Sequence, residues 1–168
     1  MKTIRQKATK YWWVIASLKD PKHGWNWQWF FRSPTNTKQN LNWGGPNWIR
    51  STISFKRIRQ MREGDIVVAY QAGEGVVGLA RLARSGYRSQ LDGEFDTFDL
   101  CSRPTVWLRN PIPFSIIKVL PQAEGEIEFV KILRGTVFAI EGNGFARLIH
   151  LVRAFNPGLN RKIDQFLS

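Results

Sequence analysis

Residues 11–17 (YWWVIAS) form a near-continuous apolar run of aromatic and β-branched side chains, which predicts a buried strand. Asp20-Pro21 and His23-Gly24 break it. Trp25, Trp27 and Trp29 alternate with Asn26 and Gln28, and this period of two predicts a strand with three indoles on one face. Residues 33–47 are rich in Asn, Thr, Pro and Gly and predict a long loop, a kind of segment that is usually functional or disordered. Ser51 to Glu63 predicts a helix: Phe55, Ile58 and Met61 share a face, Lys56, Arg57, Arg59 and Arg62 lie away from it, and Gly64 supplies the stop. Ile66–Tyr70 and Val76–Ala83 predict two strands joined by a hairpin through residues 71–75. Ser85 to Phe98, polar and acidic, predicts a surface loop. Thr105–Arg109 and Thr136–Ile140 predict further strands, while residues 127–133 fit either helix or strand. Asn143 is the expected cap of a helix whose buried stripe is Phe145, Leu148, Ile149, Val152 and Phe155, and Leu159–Leu167 predicts a short tail helix.

Many short strands with one early and one late helix predict an α+β fold, a small curved β-sheet or partial barrel flanked by helices. The 168 residues suit one domain, taken as residues 11–168, after a flexible basic arm at 1–10. The single cysteine, Cys101, excludes an internal disulfide, the start has no signal-peptide pattern, and no apolar run approaches the ~20 residues of a membrane span. A cytoplasmic protein with no membrane partner is the expectation.

Charge changes this picture most. Residues 1–62 carry thirteen Lys and Arg against one acid, Asp20, so the whole net charge of +12 lies there, and the remaining residues balance. From Pro21 through Arg62 there is no Asp or Glu, yet the segment holds five of the eight tryptophans and eight basic residues. Cations attract phosphate and flat rings accept unstacked bases, so the segment points to nucleic acid, RNA or DNA, as partner. Arg32, Lys56, Arg57, Arg59 and Arg62 are the candidates for the sugar-phosphate backbone. Trp12, Trp13 and Trp107 lie in apolar runs that suit the core. Trp43 and Trp48 flank Gly44-Gly45-Pro46, which permits close backbone approach, and are the better placed for a ligand.

Catalytic signatures are poor. His23, His150 and Cys101 are far apart and match no zinc spacing, and no cofactor is expected. There is no G-x-S-x-G elbow, and Cys101 has no basic cluster near it in sequence. Asp92, Glu94, Asp96 and Asp99 alternate in a way that suits a divalent ion or, more simply, a solvated loop. Gly73-Glu-Gly75-Val-Val-Gly78 has the spacing of a dinucleotide motif but joins two predicted strands instead of opening a helix.

The run Ile58-Arg-Gln-Met-Arg-Glu-Gly-Asp65, followed by IVVAYQ and then Val77-Gly78-Leu79-Ala80, resembles the EVE family of PUA-like domains. That family carries L-R-x-M-x-x-G-D ahead of a strand ending in an aromatic residue. Its V-R pair falls on Ile49-Arg50, its first strand on Tyr11-Trp12 to Ala16-Ser17, and its closing elements on Gly135-Thr-Val-Phe and the helix from Phe145. Strict counting puts the family's tryptophan near Pro46, so Trp43 or Trp48 takes its place. The resemblance implies a PUA-like fold and a non-catalytic reader of modified, methylated bases, related to the YTH domains and their aromatic cage. It implies a base pocket from Ser17, Trp48, Arg50, Tyr70 and Gln71, with Trp43 or Trp25 completing the sandwich. A PUA-like ribonuclease, a binder of nucleobase-like small molecules and a protein-interaction module are the rival readings.

Overall fold

The computed structural model describes residues 8–16, 26–32, 41–43, 56–89, 95–131 and 135–168. Seven strands form one mixed sheet: β1 (Tyr11–Ala16), β2 (Leu41–Trp43), β3 (Ile66–Gln71), β4 (Gly75–Ser89), β5 (Phe95–Leu100), β6 (Val106–Ile112) and β7 (Val137–Ile140). The order is β2-β5-β4-β3-β1-β7, with β6 paired to β4 off that path. β1 and β3 run parallel from Tyr11↔Ile66 to Ala16↔Gln71, and the remaining pairs are antiparallel. The fold is α+β, a curved open sheet flanked by helices, as the strand pattern predicted. Among the described residues no helix is long and apolar enough to cross a membrane.

β1 is buried on both faces, which is why it reads as an unbroken apolar run. Trp13 joins a cluster beneath α5 (Gly142–Phe155) and α6 (Asn160–Leu167), with Ile66, Val68, Phe138, Phe145, Leu148 and Phe166. Trp12, Val14 and Ala16 join the opposite cluster with Val67, Ala69, Leu82 and α1 (Trp27–Arg32). Three short helices, α2 (Phe114–Ile117), α3 (Ala123–Glu126) and α4 (Glu128–Lys131), cover the first cluster between β6 and β7. The register shifts four times along β4, between Ala69 and Tyr70 on its β3 side and at Val76/Gly78, Leu82/Arg84 and Arg84/Tyr87 on its own. Bulges bend a strand and increase its twist, so one fifteen-residue strand pairs with β3, β6 and β5 in turn.

Gly78 makes two of these contacts possible. A Cβ there would stand 2.4 Å from the Val106 carbonyl oxygen and 2.5 Å from the Phe31 ring. Its bare backbone lets β6 pair on one side and α1 dock on the other. Gly64 has another role, turning the chain into β3 at φ +85° with open space around it.

Four expectations are corrected. Trp27 and Trp29 lie on a helix, not a strand: Asn26 Oδ1 accepts the Trp29 amide at 2.7 Å as an N-cap does, and Trp27 and Phe30 are buried while Trp29 is 52% exposed. The apolar spacing Trp27, Phe30, Phe31 is the helical signal that the alternating tryptophans mask. Ser85–Phe98 is not a loop throughout, because β4 runs to Ser89 and β5 begins at Phe95. β5 is polar although Asp96, Thr97 and Phe98 are all buried, because its acids are paired, Asp96 with Arg59 and Asp99 with the Tyr87 hydroxyl. The cap of α5 is Glu141, whose side chain makes no cap bond, and not Asn143. Residues 56–58 are helical and end in a turn at Met61, with Ile58 and Met61 buried as expected, but Arg57 turns inward. Its guanidinium meets Glu128 and lies 5.1 Å over the Phe138 ring. Residues 51–55 of the predicted helix, and residues 1–7 of the arm, lie outside the described residues.

Candidate nucleic-acid interface

The buried carboxylate of Asp65 organises the start of β3. It accepts the Lys10 amide at 3.1 Å, the Trp12 indole N–H at 2.9 Å and the Arg62 amide at 2.8 Å. The G-D pair thus ties the residues before β1, a core tryptophan and the basic turn at 59–63 to one side chain. The turn in turn rests on β4: the Gly86 amide donates to Met61 O and the Glu63 amide to Ser85 Oγ.

That packing sets the cations. Arg59 is exposed and its Nε donates to the buried Asp96 at 3.0 Å, while Arg62 is exposed and bonds the carbonyls of Arg59 and Met61. Arg84, 3.7 Å over the Tyr87 ring, and Arg88 lie exposed on the same stretch of β4. The sequence reading passed over both, because they stand outside the acid-free segment and within a span taken for a loop. Lys56 is exposed before the turn, and Arg32 is exposed at the end of α1, 5.1 Å over the Trp107 ring. Arg57 is held by Glu128, whose other oxygen accepts the Ala139 amide, so its charge is matched inside the protein.

The ends of β1 and β3 meet the start of α1 at Gln71. Its Nε2 donates to Ala16 O at 3.1 Å and its Oε1 accepts the Trp27 amide at 3.0 Å, with the residue 1% exposed. The Trp27 indole N–H donates to Val14 O at 3.0 Å. One buried amide therefore joins the residue before Ser17, the helix that follows Trp25 and the end of the G-D strand. Tyr70 lies on the other face of β3, as the strand period requires, stacked at 5.0 Å on Trp13 and tilted against Phe129 at 5.3 Å. Burial pushes its phenol pKa up. Trp43 is in β2, opposite Phe98, and Ser17, Trp25, Trp48 and Arg50 lie outside the described residues.

Two of the candidate acids are paired within the described residues. Asp96 is bonded to Arg59 and Asp99 Oδ1 accepts the Tyr87 hydroxyl at 2.9 Å, and Asp92 and Glu94 lie outside the described residues. Among the described residues no three His, Cys, Asp or Glu side chains are grouped to hold a metal ion. Burial pushes the Cys101 thiol up, Arg81 draws it down in part, and Glu63 raises it again. A raised pKa leaves less thiolate at neutral pH, so Cys101 in the native protein is expected to react with iodoacetamide more slowly than it does in urea, followed by intact mass. Equal rates would contradict this placement.

No protein-family model and no curated protein matches the chain. Solved structures do. The protein Atu2648 from Agrobacterium tumefaciens is 18% identical, with TM-score 0.67 over 86% of this chain and 93% of that one. Rpa0253 from Rhodopseudomonas palustris is 22% identical, with TM-score 0.65 over 90% and 96%. Human THYN1, solved in complex with DNA containing 5-methylcytosine, is 16% identical, with TM-score 0.67 over 86% and 98%. Identity this low carries architecture and nothing finer, and the architecture agrees with the G-D motif and its following strands: the chain has the α+β, PUA-like fold of these structures.

Proposed function

We propose that this chain is a non-enzymatic module that binds nucleic acid and reads a modified, methylated base drawn out of its stack. The observation that carries the reading is the junction at Gln71. It gathers the end of β3 with the end of β1 and the start of α1, the two places that flank residues 17–25, where Ser17 and Trp25 stand. The THYN1 complex with methylated DNA, in the same fold, supports it.

In this reading Arg32, Lys56, Arg59 and Arg62, joined by Arg84 and Arg88, hold the sugar-phosphate backbone. Trp48, with Trp43 or Trp25, sandwiches the extruded base, and stacking of this kind contributes ~1–3 kcal/mol per base. Extrusion costs a few kcal/mol and is offset by that stacking together with the phosphate contacts. Ser17 bonds a base edge, Arg50 fixes the pocket loops or contacts phosphate, and Tyr70, packed on Trp13, supports the pocket from the opposite face of β3. Gln71, already bonded at both ends of its amide, acts as a positioning residue. Arg57, charge-matched by Glu128, braces the turn that presents Arg59 and Arg62.

Affinity for an oligonucleotide is expected to fall linearly with salt on logarithmic axes, by about 0.7–0.9 in slope for each phosphate neutralised. Arg59→Ala and Arg62→Ala are each expected to lower that slope by about 1 and to weaken methylated and unmethylated strands alike. Trp48→Ala is expected to remove the preference for the methylated strand and leave the slope in place. Fluorescence anisotropy across a salt series checks both. Equal loss of both strands from all three substitutions contradicts a base-reading pocket, and cleavage of the strand contradicts a non-enzymatic module.

A further inference from the structure

The end of α1 and one face of β6 meet beside Gly78. Gly78 pairs with Trp107 of β6, and the Phe31 ring of α1 lies close against its backbone. Trp107 therefore points to the α1 side of the sheet, while its neighbours Val106 and Leu108 are buried in the opposite cluster. The apolar run around Trp107 predicts a core residue, yet its indole is partly exposed and the Arg32 guanidinium lies 5.1 Å over the ring. Trp29 stands three residues before Arg32, one turn back on the same face of α1, and is 52% exposed. Arg109, two residues on from Trp107, is exposed on the same side of β6.

Trp29, Arg32, Trp107 and Arg109 thus form a stripe in which indoles and guanidinium groups alternate. Arg57, Arg59, Arg147 and Arg153 each meet a carboxylate. Among the described residues Arg32 and Arg109 meet none, so their charge is open to an anion from outside. The stripe is also held in place. Trp27 and Phe30 are buried, and the Trp27 indole is bonded to Val14 O, so the helix presents Trp29 and Arg32 from a fixed support. Arg32 is steadied in turn by the Trp107 ring beneath it.

We infer that this stripe binds a single-stranded flank of the nucleic acid, with an unpaired base stacked on Trp29 and the adjoining phosphates on Arg32 and Arg109. The inference rests on the nucleic-acid binding proposed above and adds that the strand beside the read base is unpaired. An indole accepts the face of any base, so the contact requires a splayed base and no particular sequence. Guanidinium groups form charge-assisted bonds to phosphate oxygens. The distances suit one continuous strand. From Trp27, bonded to Gln71, to Arg32 the helix rises roughly 8 Å, which is about two nucleotides at the ~3.4 Å phosphate spacing of a stacked strand.

Fluorescence anisotropy of the full chain tests this on two single strands that share one methylated cytosine. One strand carries ordinary bases throughout, and the other has abasic residues on both sides of the cytosine. The wild-type chain is expected to bind the abasic-flanked strand about fivefold more weakly or worse. Trp29→Ala is expected to weaken the ordinary strand by a similar factor and to leave the abasic-flanked strand unchanged. Trp29→Phe, which keeps a ring, recovers most of the loss. Arg109→Ala is expected to weaken both strands and to lower the salt slope by about 1. Val119→Ala, at a side chain 71% exposed and outside the stripe, is expected to change neither. Indifference of the ordinary strand to Trp29→Ala, or an equal loss on both strands, overturns the inference. Base reading is tested separately, by the ratio of affinities for methylated and unmethylated ordinary strands. Loss of that ratio with the Trp29 effect intact defeats base reading alone, the reverse defeats the flank contact alone, and no binding of either strand overturns both.

Discussion

Asp65→Ala is expected to destabilise the fold by about 3–5 kcal/mol, because an unsatisfied donor costs about 1–3 kcal/mol and the substitution leaves three. The carboxylate accepts three hydrogen bonds, from the Lys10 and Arg62 amides and the Trp12 indole, and is 4% exposed. Alanine leaves those three donors facing a void that offers none of them an acceptor. Asp65→Asn keeps the shape but turns one end of the side chain into a donor among donors, so it falls between wild type and alanine. Urea denaturation checks both, with a lowered midpoint and an unchanged slope as the expected result. A loss under about 1 kcal/mol would show that water or neighbouring groups take over these bonds. Loss of fold here also loosens Arg62 and Arg59, so strand binding weakens in the same variant.

Gly78→Ala is expected to cost about 2–3 kcal/mol or more, the range for forcing atoms into a packed interior. The added methyl would meet the Val106 carbonyl oxygen at 2.4 Å and the Phe31 ring at 2.5 Å. The carbonyl belongs to the β4–β6 pairing, in which Gly78 faces Trp107 and Leu79 faces Val106, so it cannot retreat without parting the strands. The ring belongs to α1, so its displacement disturbs the Trp27 contact with Gln71 and is visible in near-ultraviolet circular dichroism. Gly64→Ala makes the informative contrast. Its φ of +85° disfavours a side chain by about 1–2 kcal/mol, but nothing lies within 4 Å, so backbone strain is its whole cost. A Gly78 variant no less stable than the Gly64 variant would contradict the close approach of α1 and β6.

These two substitutions give physical content to what was legible in the sequence. The G-D pair and the V-G-L-A strand stood out because one buried carboxylate and one absent Cβ each serve several segments at once. The strands of the sheet were legible where both faces are buried, as in YWWVIA and IVVAYQ, because such strands need apolar residues throughout. The β4–β5 hairpin was not, because it is filled with Ser, Arg, Asp and Thr, the same residues that build loops, and only tertiary packing brings Arg59 to the buried Asp96. Trp27 and Trp29 misled because alternation of one residue type outweighed the helical spacing of Trp27, Phe30 and Phe31. Arg57 misled because a charge in a basic run reads as exposed, and only tertiary packing brings Glu128 and Phe138 to it. The candidate base site was legible in composition, as indoles among cations without acids, and in the resemblance that singled out Ser17, Trp48 and Arg50. The structure adds the frame at Gln71.

The most direct measurement is the affinity of the wild-type chain for two oligonucleotides that differ by one methyl group on a single cytosine, at one fixed salt concentration. Burial of that methyl in an aromatic pocket is worth about 0.8 kcal/mol, so the methylated strand is expected to bind about fourfold tighter or more. Identical affinity for the two strands would contradict base reading and leave only a phosphate-binding surface.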